Sequence, residues 1–231
     1  FMNTGKAAFE HLEALGEQAW LLHDQPDAGL WELRSRSRIH TSSSLMCWVA
    51  CDRLGKIAAH LGLPKRATYW KERADIIRAK ILERTWSEKR QSFVESFDGS
   101  TLDASVLLMG EVGFLPPQDP RFVATVETLS ATLGRGPFML RYEEADDFGV
   151  PEVGFNLCAF WRVDALTRIG RKDEARDLFE ALLDARNPLG LMSEDTSFAT
   201  GEAWGNFPQT YSMAGIINGA MRLSRPWEEE L

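Results

Sequence analysis

Long apolar runs, strand-like alternation, cysteine and excess positive charge are all scarce in this 231-residue sequence, and each scarcity excludes something. No apolar run approaches the roughly 18 residues needed to span a bilayer; the most apolar stretch, Leu45 to Cys51, is short and reads as a buried helix. With 26 Lys and Arg against 34 Asp and Glu, the net charge is -8. Such a surface has no cations to replace the counterions condensed on nucleic acid, so a phosphate-tracking binder is excluded. Only 3 cysteines are present, Cys47, Cys51 and Cys158, an odd count in apolar helical surroundings. They read as buried free thiols, which fits a reducing, cytoplasmic location. Cys47 and Cys51 lie four apart without a Cys/His pair following at ligand spacing, so no metal is expected. No cofactor motif is present either. Phe1-Met2-Asn3 reads as neither a natural start nor a signal peptide.

What is present is helical periodicity, with 44% hydrophobic residues, enough for one sizeable core. Eight helical stretches are expected near 4-22, 42-61, 65-84, 102-112, 120-133, 152-169, 172-185 and 210-223. The odd ones are amphipathic. Ala8, Leu12, Leu15, Ala19 and Leu22 form one stripe; Trp70, Ala74, Ile77 and Ile81 a second. Phe122, Val126, Leu129 and Leu133 form the third; Ala175, Leu178, Phe179, Leu182 and Leu183 the fourth. The even ones are apolar on most sides, as in Leu157-Cys158-Ala159-Phe160-Trp161 and Ala214-Gly215-Ile216-Ile217, and such helices are buried all round.

The connections alternate too. Links after even helices are compact and carry Gly or Pro, as at Leu61-Gly62-Leu63-Pro64 and Ile169-Gly170-Arg171. Links after odd helices are long: 23-41, 85-101, 134-151 and 186-209. Because successive helices run antiparallel, all four long links emerge at one end. Two layers of helices with every long loop on one rim describe an all-α toroid, with an irregular helical array or a solenoid of hairpins as the alternatives. A closed toroid of this kind has twelve helices, so eight make a partial barrel.

The rim loops gather acids and aromatics. The first carries Gly29-Leu30-Trp31-Glu32, the second Trp86, Phe93, Glu95 and Phe97, and the third Leu140-Arg141-Tyr142-Glu143-Glu144. The fourth carries Ser193-Glu194-Asp195 and Ala203-Trp204-Gly205-Asn206. An indole face stacks on a pyranose ring, and its low polarity raises the pKa of an adjacent carboxyl. On the dipeptide alone, Trp31-Glu32 reads first as a helix-flanking Trp beside a solvated acid.

These segments together resemble glycoside hydrolase family 15, the glucoamylase-like enzymes, in the bacterial branch that includes trehalases and glucodextranases. The match rests on Gly29-Leu30-Trp31-Glu32, Leu45 to Arg53, Leu102-Asp103-Ala104-Ser105, Val112 to Pro116, Leu140-Arg141-Tyr142, Glu152 to Phe155, Leu157 to Trp161, and Gly201-Glu202 with Gly205 to Gln209. It runs from about Leu12 to Leu223, and the order and spacing of the motifs are more specific than any one of them. The resemblance implies an (α/α)6 toroid, of which residues 1-231 form the carboxyl-terminal two-thirds, helices five to twelve. It implies inverting hydrolysis of α-glucosidic bonds, with Glu32 as general acid and Glu194 as general base. In that mechanism the two carboxyls flank the sugar roughly 6.5–9.5 Å apart, leaving room for the attacking water. Trp31 and Arg141 match residues that line and hydrogen-bond the terminal glucose. Tyr142 and Trp204, on the third and fourth loops, complete the candidate substrate-binding set. The implied partner is a carbohydrate, with no nucleic acid and no membrane.

Several positions depart from the family pattern. Thr41-Ser42-Ser43-Ser44 stands where Thr-His-Ser-Lys is common, Asn156 where an aliphatic residue is common, and Met213 where His is frequent. A trehalase, or a sugar-binding protein without catalysis on the same helices, fits the same residues. The apolar residues Phe9, Leu12, Ile216 and Met221 border the gap in the ring. An upstream segment or a second chain is expected to cover them and complete the barrel, without which these residues alone are expected to lack one side of the glucose pocket.

Overall fold

The computed structural model describes residues 5-147 and 149-224. Eight α-helices follow in order: α1 (Lys6–Leu22), α2 (Thr41–His60), α3 (Pro64–Thr85), α4 (Leu108–Glu111), α5 (Pro120–Leu133), α6 (Asn156–Arg168), α7 (Lys172–Leu183) and α8 (Thr210–Ser224). A 3-10 turn, Ala104–Leu107, leads directly into α4. Seven of the expected helices are found with ends shifted by a few residues, while the one expected over 102-112 is the 3-10 turn with the four-residue α4; Phe1-Met2-Asn3 and Thr4 lie outside the described residues. Seven strands of two residues each were not expected: β1 (Trp86–Ser87), β2 (Ser92–Phe93), β3 (Gly134–Arg135), β4 (Phe138–Met139), β5 (Gly154–Phe155), β6 (Asp195–Thr196) and β7 (Ala203–Trp204). Two residues cannot display a period of two, so sequence alternation is blind to them.

The chain divides into two compact units. One comprises residues 1-86 and 94-99, the other 87-93 and 100-231. In the first, α2 packs against both α1 and α3. The stripe Trp70, Ala74, Ile77 and Ile81 of α3 is buried as its spacing predicts. Each such large side chain stabilises by roughly 1.5–3 kcal/mol. In α2, Leu45, Trp48, Cys51, Leu54 and Ala58 are buried.

The stripe assigned to α1 is corrected. Leu15 is 68% exposed, and Leu12 and Leu22 are exposed as well; the inward residues are Phe9 and Gly16. The inner face of α1 is closed by polar contacts that hydrophobic spacing does not register. Glu13 accepts from Arg66 Nε (2.6 Å) and Trp70 Nε1 (2.7 Å), and Glu17 accepts from the Tyr69 hydroxyl. Gly16 lies under Leu54 and Trp70, where a side chain would not fit.

In the second unit α6 is central, packing against the 3-10 turn, α4, α5, α7 and α8. Phe122, Val126, Leu129 and Leu133 of α5 and Ala175, Phe179 and Leu182 of α7 are buried, as their stripes predict. Helix α8 differs from the expectation of all-round burial. It buries Ser212, Gly215, Gly219 and Arg222 but leaves Tyr211, Ile217 (60%) and Met221 exposed. Its contact is made through glycines, Gly215 against Phe160 and Gly219 against Phe179. The opposite, apolar face has no cover among the described residues of its unit.

The compact links share one closure. Gly62, Gly113 and Gly170 are left-handed (φ +70, +73 and +89), and the following N–H reaches back five residues: Leu63 to Ala58 O, Phe114 to Met109 O, Arg171 to Leu166 O. A left-handed residue at that place favours glycine. Pro64 and Pro120 then open α3 and α5, where a missing N–H costs nothing.

Among the described residues no helix is long and apolar enough to cross a membrane, and no group of His, Cys, Asp or Glu is gathered to hold a metal ion. All three cysteines are free. Burial pushes the Cys47 and Cys51 thiols up to about 11 and raises that of Cys158, wholly enclosed in α6, well above its ordinary value.

Candidate active site

In the first unit, Trp31 and Glu32 ride on a short turn in the 23-40 link. The turn is closed by Glu32 N–H to Gly29 O (3.2 Å) and Leu33 N–H to Ala28 O (3.0 Å). Its base is a backbone bridge between Asp27 and Arg38, with Asp27 Oδ1 accepting from Gly29 N (2.8 Å). Leu33 is buried and anchors the turn, while Glu32 is exposed and Trp31 half-buried. The desolvation expected of Trp31 is therefore not supplied by these residues by themselves. Glu32 has φ 54, a left-handed backbone that an L-residue adopts at a cost of order 1–3 kcal/mol. Behind the turn, the guanidinium of Arg38 donates to both oxygens of Glu95 (2.7 and 2.9 Å), a buried carboxylate.

In the second unit the remaining candidates gather around a three-stranded antiparallel ladder, β5-β6-β7. Its register sets Phe155, Asp195 and Trp204 in one row. Arg141 reaches into that row. Its Nη2 donates to both oxygens of Asp195 at 3.1 Å, and its guanidinium carbon lies 4.3 Å from the centre of the Phe155 ring. Glu194 immediately precedes β6. Its Oε2 accepts from the backbone N–H of Asn206 (3.0 Å) and from Asn206 Nδ2 (2.8 Å). Trp204 is 53% exposed. Tyr142 is buried, and its hydroxyl donates to Asp146; burial and that carboxylate raise the phenol far above its ordinary value.

Four features of this cluster were not singled out from sequence. Asp195 is the partner that orients Arg141, and burial, with the charge of Glu194 adding to it and Arg141 opposing, pushes its carboxyl up to about 6. The adjacency of two acids was the signal available. Asn206 is the second, holding Glu194 as described. Gly205, left-handed at φ +73, is the third: a side chain there would meet Glu194 Oε2 at 2.8 Å and Asp195 Oδ2 at 3.1 Å. Asn156 is the fourth, noted only as a departure. Fully buried, it donates to Ser193 O (2.9 Å), accepts from Thr196 Oγ1 (3.0 Å), and its own N–H donates to Glu194 O (3.0 Å). It therefore clasps the backbone on both sides of Glu194. The departure at Ser44 is a pin as well: its Oγ donates to His23 O at 2.6 Å, and beside it Thr41, which keeps the family residue, donates its Oγ1 to Val94 O at 2.6 Å, both bonds being buried.

The sequence matches the model of "Glycosyl hydrolases family 15" over residues 17–221. The chain belongs to glycosyl hydrolase family 15. It is 40% identical over 208 residues to a trehalase of Mycolicibacterium smegmatis, covering 89% of this chain and 31% of that protein. It is 32% identical over 199 residues to a trehalase of Thermoplasma volcanium, covering 86% of this chain and 32% of that one. The chain thus spans about a third of the length of the curated relatives it matches. Among solved structures it is similar to a bacterial glucoamylase complexed with acarbose, with a TM-score of 0.74 over 94% of this chain and 38% of that chain. Identity there is 15%, so this likeness carries the fold alone. The fold class is the expected all-α (α/α)6 toroid of the glucoamylase-like family 15 proteins.

Proposed function

We propose that these residues carry both catalytic carboxylates of an inverting α-glucosidase of family 15, with trehalose as the substrate to try first. The observation that supports this best is the setting of Glu194. Asn206 occupies Oε2 twice, and no described residue donates to Oε1, so one oxygen of a fixed carboxylate is left to take a proton from water. The Arg141-Asp195 pair beside it offers a guanidinium oriented for sugar hydroxyls. Glu32, on the strained turn next to Trp31, protonates the glycosidic oxygen as the bond to C1 breaks. The water deprotonated by Glu194 attacks C1 from the other face, and its proton passes to Oε1. Tyr142, next to Arg141 in the chain, is buried and tied to Asp146, and half-exposed Trp204 presents a stacking face. The metal-free chemistry needs only the two carboxyls.

The names of the relatives favour trehalose over maltooligosaccharides and dextran. The remainder of the polypeptide completes the ring. The exposed apolar residues on α1 (Leu12, Leu15) and on α8 (Ile217, Met221), and the third of the relatives' length that this chain spans, support that part of the reading.

The test is glucose release from trehalose, maltose, maltooligosaccharides and dextran by the complete polypeptide, with the anomers observed by NMR before they equilibrate. Inversion of α,α-linked trehalose yields one α- and one β-glucose; retention yields only α. Replacing Glu32 or Glu194 by Gln should each lower kcat by about 10²–10⁴-fold, the usual contribution of a positioned acid or base. Two α anomers, or a Glu32→Gln enzyme of full activity, would refute the assignment.

A further inference from the structure

His40 stands at the foot of α2 and does nothing that its chemistry would suggest. It occupies the position preceding the helix without a side-chain capping bond. The ring is buried, yet Nε2 has no hydrogen-bond partner among the described residues. Its Nδ1 lies 3.9 Å from Glu95 Oε1, too far for a hydrogen bond. What the imidazole does touch is Gly29. A Cβ on Gly29 would stand 2.9 Å from each of Cδ2, Cε1 and Nε2 of His40. Equal distances to three ring atoms place that Cβ over the face of the ring, so the face is turned toward Gly29 with no room for a methyl group between them.

Gly29 is where the turn bearing Trp31 and Glu32 begins. Its carbonyl accepts from Glu32 N–H, and it is itself left-handed at φ +71. A turn holding two left-handed residues, one of them Glu32, persists only where its surroundings leave it no alternative. The ring beneath it is held firmly. Residues 39 to 41 run beside 95 to 97, with Thr41 N–H to Glu95 O (2.7 Å) and Phe97 N–H to Ile39 O (2.9 Å). Arg38, whose backbone bridges Asp27 on the other side of the turn, is locked on Glu95. Burial lowers the pKa of His40, so the ring packs in its neutral form.

We infer that His40 is a positioning residue for Glu32: the face of its imidazole is the platform on which the Gly29-Glu32 turn is set. The polar atoms of the ring are incidental to that role, and a flat ring of similar size would serve. The inference rests on the reading of Glu32 as the general acid, and the experiment separates the two.

The complete polypeptide and its His40→Ala, His40→Phe, Gly29→Ala and Glu32→Gln variants are assayed on trehalose and on α-glucosyl fluoride. Trehalose must lose a sugar alkoxide, which needs the acid's proton. In the fluoride, water adds to C1, its proton goes to Glu194, the C–F bond breaks and fluoride departs with little assistance. His40→Ala is expected to lower kcat on trehalose by up to roughly 10²-fold, the scale of a misplaced catalytic group, with KM little changed, and to affect the fluoride less than about fivefold. His40→Phe should recover most of the trehalose activity. Gly29→Ala, which crowds the ring from the other side, should repeat the alanine pattern even if His40→Ala folds poorly. Equal losses on both substrates, or a phenylalanine variant no better than alanine, would overturn the inference. If Glu32→Gln retains full trehalose activity, it is the acid assignment that fails, whatever the His40 variants do.

Discussion

Adding a single methyl group at Gly205 is expected to disturb the proposed base directly. The new Cβ of a Gly205→Ala variant would stand 2.8 Å from Glu194 Oε2, 3.0 Å from Glu194 Cβ and 3.1 Å from Asp195 Oδ2. The carboxylate must retreat by about half an ångström to regain ordinary van der Waals separation, and in doing so it leaves the two Asn206 donors now at 3.0 and 2.8 Å. The left-handed backbone at φ +73 adds about 1–2 kcal/mol for any L-residue, and weakening a charge-assisted hydrogen bond adds about as much again. For a chain of this size each kcal/mol lowers Tm by about 2–4 °C, so a fall of about 4–16 °C is expected. A one-ångström misplacement costs up to about 10²-fold; half of that points to a drop of roughly tenfold in kcat. Calorimetry and initial rates on trehalose read both quantities. A variant with wild-type Tm and kcat within twofold would show that Gly205 does not hold Glu194 in place. A change in KM alone would move the role of this loop from catalysis to binding.

Asp195, whose carboxyl is pushed up to about 6, binds its proton more tightly folded than unfolded. Its contribution to stability is therefore present below about pH 4 and is lost as pH rises to 6, by about 3 kcal/mol in all. Urea midpoints at pH 4 and pH 7 should show that decline, and an Asp195→Asn chain should lack it; the same decline in the variant would refute the shift. Trp70, fully buried and donating to Glu13, should cost about 3–5 kcal/mol when replaced by Ala. An unfolding free energy, from denaturant titration, within 1 kcal/mol of wild type would mean that α3 does not depend on it.

The helices other than the short α4 were legible because each runs for three or more turns, and the left-handed glycines marked where three of the eight stop. The inward face of α1 was not, because Glu13 and Glu17 close it by hydrogen bonds, and a hydrophobic stripe on the same helix points outward. Helix α8 misled for a related reason. Gly215 and Gly219 bring its backbone against Phe160 and Phe179, and glycine carries little weight in a hydrophobic pattern. In the candidate site, the chain neighbours Trp31-Glu32 and Glu194-Asp195 could be read directly. The bond from Arg141 to Asp195 spans 54 positions, and that from Asn156 to Thr196 spans 40, so only the fold reveals them. Asn156 registered only as a departure from a commonly aliphatic position; the fold supplies its reason, since Ser193 O and Thr196 Oγ1 give the buried amide its partners.

The state of the three thiols has a practical side. Each is held protonated near neutral pH by its burial, and the nucleophile in alkylation is the thiolate. The native chain is accordingly a quiet background for maleimide chemistry. A cysteine introduced at an exposed position such as Thr200, on the loop that carries Glu194 and Trp204, would be modified well ahead of the three already there. A fluorophore placed in this way would report on the rim of the proposed glucose pocket without any native residue having to be removed first.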